Sequence, residues 1–119
     1  MPISKTARTL LASQQLAAGA SITAAELDLR TTAGAKIFVK ITNGSPAPTT
    51  APTVTFFSGE ATGVKRQEHV RTGDTVAGSV ANDISFTYGL RAMFANVTIL
   101  NGATNPITVE VFAQEATTV

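Results

Sequence analysis

A chain of 119 residues has the length of one domain, and the absence of cysteine excludes disulfides and thiolate metal sites. Only 14% of the residues are charged, against roughly 25% in an average domain, and the formal net charge is +1. That balance argues against a nucleic-acid partner, which needs a basic face or stripe; Lys65, Arg66 and Arg71 are interleaved with Glu60, Glu68 and Asp74.

No apolar run follows Met1-Pro2-Ile3-Ser4-Lys5, and none approaches the roughly 18 residues of a membrane span. Neither a signal peptide nor a membrane partner is expected. The chain is then made in the cytoplasm and stays there unless it leaves inside a larger assembly.

Residues 4–18 hold good helix formers in Leu10, Leu11, Gln14, Gln15 and Leu16, but the apolar spacing makes a poor helix face. Leu10, Ala12 and Leu16 share strand parity, so the segment reads as an edge strand. Ala18-Gly19-Ala20 is a break, and Thr23-Ala24-Ala25-Glu26 matches a short capping pattern. Leu27-Asp28-Leu29-Arg30 alternates as a strand, with Asp28 and Arg30 on one solvated face.

After a turn at Gly34, residues 36–42 form a strong strand. Ile37, Val39 and Ile41 point one way, and Phe38 and Lys40 the other. Pro46, Pro48 and Pro52 stiffen the following loop. Residues 53–58 return to strand, with Val54 and Phe56 on one face and Phe57 on the other. Residues 67–71 alternate weakly, and 72–82 read as a glycine-rich loop.

Residues 83–88 set Ile84, Phe86 and Tyr88 in register. The clearest alternation covers residues 92–114, where Val97 and Ile99 precede the loop Asn101-Gly102-Ala103-Thr104-Asn105, and Ile107, Val109 and Val111 follow it. Asn-Gly tolerates the positive φ of a tight reversal, so a β-hairpin is expected. Residues 114–119 read as a polar tail.

About eight short strands separated by turns predict an all-β fold: a single-domain antiparallel β-sandwich over residues 1–119, jelly-roll or immunoglobulin-like, with residues 1–18 as an extended N-terminal segment. The expected core is Ile37, Val39, Ile41, Val54, Phe56, Ile84, Phe86, Val97, Ile99, Val109 and Val111.

No residue pattern identifies an enzyme, and no catalytic, cofactor-binding or metal-binding residue is assigned. His69 is the single histidine and reads as a strand-edge residue; pairing with Asp74 or Asp83 would still lack the Gly-x-Ser-x-Gly elbow. Residues 59–66 have the wrong glycine spacing for a phosphate loop. Asp74 and Asp83 lack a calcium-loop series, and Asn96-Val97-Thr98 is a sequon inside a strand. For a sugar platform the chain offers only Tyr88 and His69.

Ala18-Gly19-Ala20, Leu27-Asp28-Leu29-Arg30, Gly34 and Ile41-Thr42-Asn43-Gly44, with Met93, an Asn/Gly-rich turn and Ile107-Thr108-Val109-Glu110-Val111, form a further pattern. It resembles the small β-sandwich virion structural proteins of tailed bacteriophages and prophages, of the capsid decoration or cement type. The resemblance implies a non-enzymatic structural protein located in the virion and made in the host cytoplasm. It implies capsid or other virion proteins as partners, a homo-oligomer, and no cofactor. The alternative is a receptor- or carbohydrate-binding module of a phage tail.

The hairpin register would set Phe94 directly opposite Phe112 on the outer face, with Phe38 at the same outward parity. These three phenylalanines are the candidate interface. The competing reading is that the N-terminal segment or the proline loop covers them.

Overall fold

A computed structural model describes residues 3–89 and 91–118 of the protein. These residues form β1 (Ile3–Leu16), β2 (Ser21–Thr23), β3 (Leu27–Asp28), β4 (Ala35–Asn43), β5 (Thr53–Gly59), β6 (Arg66–Thr72), β7 (Val80–Tyr88), β8 (Phe94–Leu100) and β9 (Ile107–Thr118). One sheet runs β1-β9-β4-β7 and the other β2-β8-β5-β6, every pairing being antiparallel. β3 also pairs with β8, so β2 and β3 act as one interrupted strand. With those two merged, the wiring is that of a jelly roll.

The expected sandwich is therefore present, and its jelly-roll form is resolved. Strand parity also holds. β4 buries Ala35, Ile37, Val39, Ile41 and Asn43 and turns Lys36, Phe38, Lys40 and Thr42 outward. Val54, Phe56, Ile84, Val97, Ile99, Val109 and Val111 join them in one core. Phe86 departs from the expectation: it is only half-buried, on the edge strand β7, and stacks on Phe56 and His69.

Residues 3–16 are an edge strand, as the spacing suggested; residues 1 and 2 of the expected N-terminal segment lie outside the described residues. The apolar positions of β1 are reconciled by bulges. Leu11 lies opposite Val111 and Leu16 opposite Ile107, so an extra residue between them lets both face inward despite their odd spacing.

The expected hairpin at residues 92–114 does not form. β8 and β9 belong to different sheets, and the Asn101–Pro106 connection crosses between them. Thr104 takes the positive φ in this loop, at 87°, while Gly102 does not appear among the positive-φ residues. Gly102 is needed for another reason: a Cβ there would overlap the Thr50 carbonyl. Strand parity is the same for a hairpin and for an arch, so alternation alone could not separate them. The polar tail is also corrected: β9 continues to Thr118, because Ile3–Thr9 of β1 pairs with it. Similarly, β7 begins at Val80, inside the expected loop.

Phe56 is fully enclosed, whereas Phe86 keeps part of its ring in solvent. Phe56→Ala is therefore expected to cost on the order of 3–5 kcal/mol in denaturant unfolding, and Phe86→Ala distinctly less. Equal losses would show that the edge of the core is as tightly enclosed as its centre.

Candidate functional site

Outward parity on β4 and β9 brings two of the three candidate phenylalanines together. Phe38 and Phe112 are direct partners in the β4–β9 ladder, and Thr9 of β1 and Ser85 of β7 extend the same row. Both rings are half-buried, and among the described residues no strand lies above them. They line a shallow depression of about 400 Å³ together with Ala7, Arg8, Thr9 and Gln114.

Charged groups surround this depression. Lys36 Nζ lies 5.1 Å from the Phe38 ring centroid, a cation–π distance. Lys40 faces Glu110 across the ladder. Arg8 Nε lies 2.9 Å from Glu115 Oε1, an ion pair. Glu115 is 4% exposed and Arg8 56%, so a buried carboxylate anchors a side chain whose head stays at the rim.

Phe94 lies elsewhere. It sits on β8 in the other sheet, 5% exposed, opposite Asp28 and Gly59. The Arg30 guanidinium covers it at 4.9 Å from the ring centroid. Asp28 holds that guanidinium at 3.0 and 2.8 Å, and this pairing draws the Asp28 carboxyl down to about 2. The expected Phe94–Phe112 contact fails because it depended on the hairpin.

The other chemistry-bearing side chains are engaged in structure. The His69 ring lies 5.6 Å from Phe86 and 6.3 Å from Phe56. Tyr88 Oη donates to the Phe57 carbonyl at 2.8 Å, and burial pushes its hydroxyl pKa up. Tyr88 is 3% exposed and presents no open ring face to a sugar. Asp74 accepts from Ser79 Oγ, Val76 N and Asn43 Nδ2 at 2.7, 2.9 and 2.9 Å. Among the described residues, no three His, Cys, Asp or Glu side chains cluster as metal ligands.

Sequence reading overlooked Glu115, which falls on the inward parity of β9 but was assigned to a tail. Glu26 closes the short capping pattern in the sequence, but no helix follows it. Glu26 Oε2 accepts from Asn96 Nδ2 and Gly63 N, each at 3.0 Å, and so ties the β5–β6 loop over β8. The usable signal for Glu115 was its even spacing from Ile107 onward. The Glu26 clasp carried none, since Asn96 lies 70 residues away.

Neither a protein-family model nor a curated protein matches the chain. Among solved structures, it is similar to a chain from Bacillus endospore appendages, described as a novel family of disulfide-linked pili. The TM-score is 0.57 at 18% identity, covering 100% of this chain and 93% of that one. It is also similar to a chain in the structure of infectious bursal disease virus Gx strain, with a TM-score of 0.53 at 8% identity. That match covers 98% of this chain but 33% of the viral one, so this protein spans a third of its length. At these identities the likeness is one of fold, a fold used in a pilus and in a virus particle. With no cysteine, this chain has no counterpart to a disulfide linkage. Among the described residues, no helix is long and apolar enough to cross a membrane.

The carboxylate clasps make a pH prediction. The Ser79 hydroxyl, then Val76 N and Asn43, lower the Asp74 pKa from 3.8; Asn96, then Gly63 N, lower that of Glu26 from 4.5. A carboxyl lowered on folding stabilises fully above its unfolded pKa, and that contribution is lost as pH falls through the folded one. Thermal melting is therefore expected to hold down to the ordinary values of 4.5 and 3.8 and to decline below them. Asp74→Asn is expected to make the acid decline shallower. An identical acid profile in wild type and variant would show that the Asp74 clasp is not coupled to folding.

Proposed function

We propose that this protein is a structural subunit of a virus particle, of the capsid decoration or cement type found in tailed bacteriophages. The observation that carries this reading is the Phe38–Phe112 pair, set in register on an open outer face of a jelly-roll sheet. Aromatic side chains in a fixed shallow depression are the usual anchors of a protein interface. The sequence resemblance to phage virion proteins and the fold shared with a virus-particle chain support the same reading.

The mechanism is mass action. The outer face of the β1-β9-β4-β7 sheet would lie across neighbouring capsid subunits and bury the two rings. A protein that binds only the assembled shell stabilises that shell in proportion to its occupancy. No chemical step is needed. The tail-module alternative gains nothing from the geometry, because Tyr88 is enclosed and the His69 ring is stacked on Phe86.

Mass spectrometry of purified particles from cells expressing the chain tests the location. Many copies per particle are expected; absence overturns the proposal, and a handful of copies moves the protein to the tail. Replacing Phe38 and Phe112 together by Ser tests the surface. The rings are only half-buried, so the variant is expected to melt within about 1–2 kcal/mol of wild type while losing particle binding. Unimpaired binding would remove this face from the interface.

A further inference from the structure

The opposite outer face has a different character. On the β2-β8-β5-β6 sheet, one row of side chains runs Thr23, Thr98, Thr55 and Val70, and the next runs Ser21, Leu100, Thr53 and Thr72. None of these eight residues is charged, and six carry a hydroxyl. Leu100 and Val70 are 47% and 40% exposed. Farther along the sheet, the Glu26–Gly63 clasp and Arg30 cover Asn96 and Phe94, while half-buried Phe57 and exposed Gln67 continue the outer face beside Asn96.

Three of the four edges of the sandwich, β1, β7 and β6, carry bulges. All four register shifts fall on ladders made by an edge strand, and each extra residue lies on that strand: two shifts on β1, one on β7 near Asn82–Asp83, and one on β6 at Glu68. The interior ladders β4–β9 and β5–β8 run without a shift. These bulges interrupt the β1, β7 and β6 edges, leaving Ile3–Thr9 as the straight run on β1, and the β2–β3 edge is split into pieces of three and two residues. The sheet faces are the broader surfaces open to association.

We propose that two copies of this chain pair face to face through the Thr23–Thr98–Thr55–Val70 and Ser21–Leu100–Thr53–Thr72 rows, about a two-fold axis. A two-fold contact brings one surface against its own copy, so any charge at its centre would meet its like. This face has none. A hydroxyl is both donor and acceptor, so a threonine array can satisfy an identical array. The Thr23 and Thr98 hydroxyls already do this within one chain, at 2.9 Å. Exposed Leu100 and Val70 supply the apolar part.

Strand and residue spacings make the open face on the order of 300 Å² per copy. A stable dimer buries about 800 Å² per partner, so this contact is weak in free solution and becomes effective where copies are held close together. It is separate from the Phe38–Phe112 surface and does not depend on what that surface binds.

The lack of native cysteine makes disulfide trapping a direct test. Thr55→Cys and Thr98→Cys would each place one thiol near the centre of the face. Thr42→Cys, also half-buried but on the outer side of the other sheet, reports random collision. Under mild oxidation of the full chain, at least one of the two central variants is expected to dimerise about tenfold faster than Thr42→Cys at matched concentration. Adding Leu100→Lys is expected to return the rate to that of the control. Adding Phe38→Ser and Phe112→Ser is expected to leave it unchanged, which separates this contact from particle docking. Central variants no faster than the control, or a fast rate that Leu100→Lys does not reduce, would overturn the proposal.

Discussion

The buried amide of Asn101 secures the point at which the chain passes from one sheet to the other. Its Nδ2 lies within 3.2 Å of the carbonyls of Leu16, Ala17 and Asn105, and its backbone N–H donates to Ala20. Gly102 packs without a Cβ against Thr50, and Asn105 Nδ2 donates to Ala47. Three stretches distant in sequence therefore meet at one end of the sandwich. Buried carbonyls need donors, and here a side-chain amide supplies them where no strand can. Because this crossing holds, β8 and β9 enter opposite sheets, and Val97 and Ile99 share the core with Ile107, Val109 and Val111 from the facing sheet. Asn43 serves a related purpose at the end of β4, donating to the backbone carbonyls of Asp74 and Val76 and to the Asp74 carboxylate.

That crossing also distributes the outer surfaces. With β9 beside β4, Phe112 meets Phe38 and forms an aromatic face bordered by Lys36, Lys40 and Glu110. With β8 beside β5 and β2, the threonines of three strands line up on a face without charge. The bulges on β1, β6 and β7 interrupt those edges, and the two broad faces carry the proposed contacts. In the proposals above, one face contacts a particle and the other a second copy.

The sequence by itself determined which side of each strand is buried. Alternation placed Ile37, Val39, Ile41, Val54, Phe56, Val97, Ile99, Val109 and Val111 inside and identified residues 4–18 as an edge strand, because a half-buried strand must alternate. Phe38 and Phe112 were readable as outward-facing for the same reason. Tertiary structure alone decided which strands are neighbours. A loop such as residues 101–106 can turn back within one sheet or cross the roughly 10 Å to the other, and both leave the alternation unchanged. It also decided what covers an outward side chain: Phe94 is enclosed because Arg30 lies over it, while Phe112, equally outward on its own strand, stays open beside Phe38. Covering depends on groups far away in sequence, and the periodicity of a single strand carries no information about them.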